Sequence, residues 1–259
     1  MTREEQVTHF REHGYLAVAN VFSADEIDRL RANLEALEHR TRALAESTDR
    51  VKLTLFGGDV EDRAVQQIAE PHELDGTWMN LAADPRILDL VEALIGPNIL
   101  LYYSMLMMKP ARSGAPAPWH QDLAFFVHDR ARLVACQVYL DDSTTDNGCV
   151  HVVPGSHQLG LFNHFDGDRF TEIVQGDTSA FDAAAVPVPV KAGGMILWHC
   201  LTLHQSPPNR SDRGRRAVVF EYKDPQARLL TGSFAPGEVH TVGRMVRGSD
   251  PRGELLSAF

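Results

Sequence analysis

The chain has 259 residues, of which 44% are hydrophobic and 23% are charged. This composition is typical of a globular protein and excludes a disordered or collagen-like chain. The formal net charge of -10, from 25 basic and 35 acidic residues, opposes binding to nucleic acid or anionic lipid, so neither is an expected partner.

Targeting and redox features predict a cytoplasmic protein. The longest apolar stretch we find, Ile99 to Met108, is far shorter than the roughly 20 residues of a membrane-spanning helix. The chain starts with acidic residues where an export signal would be basic and then apolar. Cys136, Cys149 and Cys200 have no Cys-x-x-Cys spacing and lie in apolar runs, so we expect each to be a buried structural residue.

The pattern along the chain predicts one domain over residues 1-259. We expect a helical N-terminal part of about residues 1-98, a strand-rich core of about 99-225 and a C-terminal tail of 226-259. In the first part, the opening 12 or so residues favour a helix, and Tyr15 to Phe22 favours an extended segment. Ser23 and Glu26 form a capping box, which predicts an amphipathic helix running to about Glu46. Asp84 to Leu94 predicts a second such helix.

Short apolar runs, broken by Gly, Pro and Asn, predict a sheet protein after residue 98. The expected strands are Ile99 to Lys109, Leu133 to Leu140, Cys149 to Val153, Val186 to Val190, Met195 to Trp198 and Ala217 to Tyr222.

Residues 160-185 are polar and show no clear period, which predicts a long loop or a partly helical excursion. Such segments are often lids, and Phe162, Phe165 and Phe170 are then expected to close over an apolar substrate. The alternative is a surface excursion with a small core of its own.

Two residues in the run from Pro116 to Asp122 are candidate metal ligands. His120 and Asp122 are two apart in an extended segment, so both side chains are expected on one face. His204, which follows a predicted strand, is the candidate third ligand. Two histidines and one carboxylate leave adjacent coordination positions open, as in non-haem Fe(II) oxygenases. A bidentate 2-oxo acid would occupy two of these positions, and dioxygen the third.

If the 2-oxo acid is 2-oxoglutarate, its distal carboxylate needs a cation, and the planar guanidinium of arginine suits it best. Arg215 lies at the start of a predicted strand, 11 residues after His204 (215 minus 204). Ser206 is expected to donate its hydroxyl to the same carboxylate, whereas Arg216 should face the opposite side of the sheet.

Four motifs in this order resemble the phytanoyl-CoA dioxygenase (PhyH) family. They are Pro118-Trp119-His120-Gln121-Asp122; Tyr139-Leu140-Asp141-Asp142 with Asp146-Asn147-Gly148; Pro154-Gly155-Ser156-His157; and His204-Gln205-Ser206 with Asn209-Arg210-Ser211 and Arg215. They span about residues 100-225, and the N-terminal helix pair also resembles the family's opening segment.

The resemblance implies a double-stranded β-helix, a jelly roll related to the cupins, flanked by N-terminal helices. It implies Fe(II) held by His120, Asp122 and His204. It also implies 2-oxoglutarate bound by Arg215 and Ser206, with Gln121 and Gln137 as near neighbours. Two departures stand out: Gln137 replaces a frequent aromatic residue, and Gly193-Gly194 replaces a more usual Gly-Asp.

These observations predict an Fe(II)- and 2-oxoglutarate-dependent dioxygenase that uses O2 and releases succinate and CO2. The expected reaction is hydroxylation of an unactivated C-H bond in a small metabolite of specialised biosynthesis. Epimerisation, cyclisation and desaturation remain open, whereas halogenation is disfavoured because Asp122 fills the position that chloride would need.

Two function classes compete with this prediction: a zinc hydrolase with the same three ligands, and a metal-free binding module. Neither of them needs a cation at Arg215. The acyl-CoA substrate that the family name suggests is disfavoured, because we find no Lys/Arg cluster suited to CoA phosphates.

Overall fold

The computed structural model describes residues 1-42, 51-55, 63-112, 115-230 and 243-251. For residue 42 and for residues 51-55 and 63-64, the description covers the backbone alone.

Six α-helices lie in these ranges, and their bounds confirm the main helical predictions. They are α1 (Arg3-His13), α2 (Ala24-Arg42), α3 (Pro71-Leu74), α4 (Gly76-Ala82), α5 (Pro85-Ile95) and α6 (Ser179-Ala184). The capping box predicted for α2 is present, since the Ser23 amide donates to Glu26 Oε2 at 2.8 Å and the Glu26 amide donates to Ser23 Oγ at 3.4 Å. The predicted end of α2 near residue 46 lies outside the described residues.

The described strands range from two residues to eleven, and the two longest are neighbours in one sheet. They are β1 (Tyr15-Val18), β2 (Val51-Leu55), β3 (Arg63-Ala69), β4 (Ile99-Lys109), β5 (Ala117-His120), β6 (Leu133-Tyr139), β7 (Val150-Val152), β8 (Phe165-Asp166), β9 (Arg169-Phe170), β10 (Val186-Val188), β11 (Met195-His199), β12 (His204-Ser206), β13 (Arg215-Lys223) and β14 (Arg244-Arg247).

The strands form two main antiparallel sheets. The large sheet has the order β1-β11-β6-β13-β4-β3-β2, with β14 also paired to β4. The smaller sheet has the order β10-β7-β12-β5, and β8 and β9 form a separate hairpin. This architecture confirms the predicted jelly roll with flanking helices.

The large sheet also takes strands from outside the predicted strand-rich core of about residues 99-225. Strand β1 confirms the start of the extended segment predicted from Tyr15 to Phe22, whereas β2 and β3 come from the part predicted as helical, and all three belong to the large sheet. Strand β14 comes from the predicted tail and pairs with β4. Strands β5 and β12 were not predicted, because runs of three or four residues are too short to show a period.

The large sheet buries apolar side chains on both faces. On β6, Ala135 and Tyr139 pack toward the smaller sheet, whereas Cys136 and Val138 pack toward the helices. Burying one large aliphatic side chain contributes about 1.5-3 kcal/mol, so both layers stabilise the sheet that supports the site. The three cysteines are buried and unpaired, as predicted.

The Gly193-Gly194 turn explains one departure from the family pattern. Gly193 has a φ of 83°, and its carbonyl accepts hydrogen bonds from the Val21 and Phe22 amides at 2.9 Å. A Cβ on Gly194 would lie 2.6 Å from the Val190 side chain. The turn therefore packs closely against neighbouring chain, and glycine suits both positions.

None of the helices within the described ranges combines the length and the hydropathy needed to cross a bilayer.

Candidate metal centre

The three predicted ligand residues lie close together at the paired strands β5 and β12 of the smaller sheet. His120 ends β5, His204 begins β12, and the two residues face each other in the register of this strand pair. Asp122 starts a short 3-10 helix, Asp122-Ala124, so the expectation that it lies in extended chain with His120 was wrong. The turn nevertheless brings its carboxylate to the same point. Ligand atoms of the three residues lie within 4.8 Å of one another.

The hydrogen bonds of the two rings direct one nitrogen of each toward the carboxylate. His120 Nδ1 lies 2.7 Å from the Pro118 carbonyl oxygen, and His204 Nδ1 lies 2.9 Å from that of Thr202. Each Nδ1 therefore carries the proton and donates it, which leaves the Nε2 lone pair free. His120 Nε2 is 3.9 Å from Asp122 Oδ1, and His204 Nε2 is 3.5 Å from the same oxygen.

Burial keeps both imidazoles neutral, as a metal ligand must be. It lowers the pKa of His120 to about 3 and that of His204 to about 4. Burial also raises the pKa of Asp122, an effect opposed by His120 and by a hydrogen bond from Trp198. A divalent cation at this point would favour the carboxylate, so the donor set fits a metal.

Trp198 orients the carboxylate ligand, and the sequence did not single it out. Its indole Nε1 donates to Asp122 Oδ2 at 2.6 Å, which leaves Oδ1 facing the two histidines. Its ring also packs on His204, with centroids 4.9 Å apart. The signal was its place at the end of β11, directly before the segment leading to His204.

Arg215 is buried on the inner face of the large sheet. It is 2% exposed, its Nη1 donates to the Gly148 carbonyl at 3.0 Å, and its Nε has no partner in the described part of the chain. Arg216 points outward and pairs with Asp141 at 2.8 Å and Glu35 at 2.9 Å. The strand register of the two arginines is therefore as predicted.

Lys109 lies opposite Arg215 in the β4-β13 register and was not among the predicted site residues. Its ammonium donates to the carbonyls of Ala115, Ser206 and Pro207 at 2.8, 3.1 and 2.6 Å. Burial, and then the charge of Arg215, lower the pKa of Lys109 to about 7. Lys109 thus ties β4 to the end of β12, the strand that holds His204 and Ser206.

Unpartnered polar atoms on this inner face fit a dicarboxylate co-substrate. Gln137 is 4% exposed on β6, and its Nε2 has no partner among the described residues, like Arg215 Nε. A buried hydrogen-bond donor without an acceptor costs free energy unless a bound ligand supplies the acceptor. Ser206 is 6% exposed and lies two residues after His204 on β12.

Gln121 faces away from the other predicted co-substrate residues. Its side-chain amide donates to the Gly160 and Leu201 carbonyls at 2.8 and 2.7 Å, and its Oε1 accepts from the Phe162 amide at 2.8 Å. Its backbone amide donates to His164 Nε2. The side chain therefore holds the start of the 160-185 segment instead of lining the cavity.

A cavity of about 230 Å³ opens beside the metal ligands. His120 and Asp122 line one wall, and Tyr103, Val219 and Glu221 line the opposite sheet. Glu221 is 4% exposed, and its Oε2 has no hydrogen-bond partner within the described ranges. Burial raises the pKa of Glu221 well above its usual value, and Asp122 raises it further.

The 160-185 segment covers part of this cavity. Glu172 and Ile173 line it, and the Phe170 ring packs edge-on against Phe125 at 5.1 Å, which in turn lies 5.9 Å from the His120 ring. Phe162 instead packs on Phe181 in a small separate core. One part of the segment therefore lines the cavity and another part packs in a small core, and the lid stays a prediction.

Comparisons with known proteins show the family to which the chain is similar. The sequence profile of the phytanoyl-CoA dioxygenase (PhyH) family matches residues 10-217. A probable alpha-ketoglutarate-dependent hypophosphite dioxygenase of Stutzerimonas stutzeri is 27% identical over 94% of this chain and 86% of its own length. The ectoine dioxygenase of Stutzerimonas stutzeri (strain A1501) is also 27% identical, over 84% of this chain and 76% of its own.

Among solved structures, EctD from S. alaskensis with 2-oxoglutarate and 5-hydroxyectoine is similar, with a TM-score of 0.72 and 26% identity. The match covers 90% of this chain and 79% of EctD.

Proposed function

Since the chain belongs to the phytanoyl-CoA dioxygenase family, we propose that His120, Asp122 and His204 bind Fe(II) and that the site oxidises a small-molecule substrate. The protein is an Fe(II)- and 2-oxoglutarate-dependent dioxygenase. The observation that carries the ligand assignment is the convergence of one ligand atom from each of the three residues within 4.8 Å, with both Nε2 atoms within 3.9 Å of Asp122 Oδ1.

A hydrogen bond to another group of this chain orients each of the three candidate ligands. The Pro118 and Thr202 carbonyls hold the two imidazoles in the tautomer that offers Nε2, and Trp198 holds the carboxylate. Bound iron would supply the oxidation of a C-H bond while 2-oxoglutarate is converted to succinate and CO2. The protein supplies a buried site that limits water around the reacting groups.

The co-substrate is proposed to lie between the ligands and Arg215. The guanidinium binds the distal carboxylate, with Ser206 as a second donor and Gln137 as a buried amide nearby. Lys109 holds β12 in place through the Ser206 and Pro207 carbonyls. Gln121 has no part in this proposal, because backbone groups occupy its amide.

Hydroxylation is the proposed outcome, and the same site also suits epimerisation, cyclisation or desaturation. Halogenation is disfavoured because Asp122 takes the position of a chloride ligand. A zinc hydrolase would leave the buried guanidinium of Arg215 without a role. Lys109 is the only lysine or arginine among the described residues that line the cavity, which favours a small free metabolite over an acyl-CoA.

The test is to load the protein with Fe(II) without air, measure bound metal, and then follow succinate release from 2-oxoglutarate after oxygen is admitted. We expect one iron per chain and slow succinate release even before the substrate is known, and faster release when a substrate is added. Tight zinc binding with no succinate from the iron form would contradict the proposal.

A further inference from the structure

The inner face of β13 has opposite charges at its two ends. Because side chains alternate along a strand, Arg215, Val219 and Glu221 share the face toward the smaller sheet. Six residues of strand span roughly 20 Å, so the two charged groups are well separated. Arg215 stands at the proposed co-substrate end, and Glu221 lines the cavity at the other.

The cavity itself is acidic in its side-chain composition. Its described lining includes three carboxylates, those of Asp122, Glu172 and Glu221. Lys109 is the one lysine or arginine in that lining, and its ammonium already donates to three carbonyls. Asp122 is engaged by Trp198 and by its assignment as a metal ligand. Glu221 and Glu172 are therefore the two carboxylates of this lining that are left to contact a bound molecule.

Of the two, Glu221 is the stronger candidate to contact a bound molecule, because its carboxyl group is buried and one of its oxygens lacks a hydrogen-bond donor among the described residues. It is 4% exposed, and its Oε2 accepts no hydrogen bond from any described residue. A buried carboxylate oxygen without a donor costs free energy, and such a group in a native structure calls for a partner. Apolar and aromatic side chains that include Tyr103, Met105 and Phe125 surround the cavity and would hold the rest of the ligand.

We infer that Glu221 is a specificity-determining residue that pairs with a protonated amine or amidine of the substrate. The inference rests on the proposed function, and it assigns the substrate class: a small molecule with an apolar body and a cationic N-H group. Such a group supplies the missing hydrogen bond, and its positive charge favours the ionised carboxylate, which offsets the burial that raises the pKa of Glu221 in the empty cavity. Glu172, on the segment that covers the cavity, adds negative potential on the same side.

The test uses benzylammonium and its neutral analogue benzyl alcohol as probes of the anaerobic Fe(II) and 2-oxoglutarate complex, with binding measured by calorimetry. We expect the wild type to bind benzylammonium about tenfold or more tightly than benzyl alcohol, as a desolvated ion pair implies. Glu221→Gln should reduce this preference to about twofold or less, while Glu221→Asp should retain part of it. Glu12→Gln, a change on an exposed residue of α1, is the matched control.

Thermal melting and iron content, measured on each variant, identify any variant that fails to fold. If Glu221→Gln fails to fold, Glu221→Asp is compared with the wild type instead. Equal affinity of the wild type for both probes, or an undiminished preference in Glu221→Gln, would overturn the inference. Succinate release without added substrate, measured in parallel, tests the proposed function separately. Succinate without an ammonium preference would reject the role of Glu221 alone, and a preference without succinate would reject the proposed reaction alone.

Discussion

Trp198 Nε1 donates a 2.6 Å hydrogen bond to Oδ2 of Asp122, whose other oxygen faces both histidines. Groups that orient a metal ligand in this way typically affect metal affinity by about 10-100-fold. We therefore expect Trp198→Phe, which keeps the ring packing and removes the donor, to weaken Fe(II) binding by about that factor. The measurement is an anaerobic metal titration.

Trp119→Phe is the matched control for this change. Trp119 also donates its indole N-H to a carboxylate, that of Asp182 at 2.8 Å, but this pair lies in the satellite core of the 160-185 segment. Its loss should leave iron affinity within about twofold of the wild type, since the Trp119 indole donates to Asp182 and not to a candidate metal ligand. Equal weakening in both variants would contradict the positioning role of Trp198.

Removal of any of the three ligands should abolish turnover and leave the fold intact. His120→Ala and His204→Ala each remove an Nε2 donor, while the jelly roll is held by its apolar core and not by a metal. Asp122→Ala should leave iron held weakly by the two histidines. Metal content, succinate release and thermal melting check these outcomes together. Wild-type turnover in any of the three iron-supplemented variants would reject the ligand assignment.

Arg215→Ala and Arg216→Ala should differ sharply, although the residues are adjacent. Truncating one partner of a buried charge pair costs about 2-5 kcal/mol, a loss of roughly 30-fold to several-thousand-fold in affinity. Arg215→Ala should raise the 2-oxoglutarate requirement by such a factor and leave iron binding nearly unchanged. Arg216→Ala removes outward pairs with Asp141 and Glu35, so its 2-oxoglutarate requirement should stay near wild type. The KM for 2-oxoglutarate in succinate release is the readout, and similar KM values would reject the assignment.

The 160-185 segment should become more protected when the site is filled. Glu172 and Ile173 line the cavity, and Phe170 packs on Phe125 next to His120, so a bound substrate has contacts to order this segment. We expect slower amide hydrogen exchange in the segment with Fe(II), 2-oxoglutarate and a confirmed substrate together. Peptides from α5, which lies on the other side of the large sheet, serve as the control. Unchanged exchange in the segment would reject the lid.

His128 should make the protein less stable in acid. It is 6% exposed, and burial, followed by the charge of Lys223, lowers its pKa from 6.5 to about 4. Between these values the unfolded chain binds more protons at this site, so the free energy of unfolding falls as the pH drops from 6.5 toward 4. The full effect of one such group is on the order of 3 kcal/mol.

The readout for His128 is the difference in unfolding free energy between the wild type and His128→Gln at several pH values. The difference should move in favour of the wild type as the pH rises through this window and then level off. His39→Gln, a change on the exposed face of α2, is the control. A flat difference for His128→Gln would reject the assignment.

Local sequence determined the elements whose signals are short-range. The capping box at Ser23 and Glu26 predicted where α2 begins, because each side chain satisfies a backbone group only three residues away. The run of mostly apolar residues in β4 predicted that strand with its observed bounds. Alternation along β13 placed Arg215 inside and Arg216 outside, because a strand has a period of two. The three candidate metal ligands also came from the sequence, through motif spacing.

Tertiary structure alone decided which distant groups meet. Trp198 and Asp122 are 76 residues apart, and only the pairing of β12 with β5 and of β11 with β6 brings the indole to the carboxylate. Lys109 reaches β12 through a contact 97 residues away in sequence. Gln121 sits between two ligands in the chain, yet the turn at Asp122 directs its amide to the Gly160 and Leu201 carbonyls. Glu221 lies within the predicted strand Ala217 to Tyr222, and only the packing of the sheets buries its carboxyl group at the cavity. Hydrogen bonds and burial between remote segments depend on strand register, and register is settled by the packing of the whole domain.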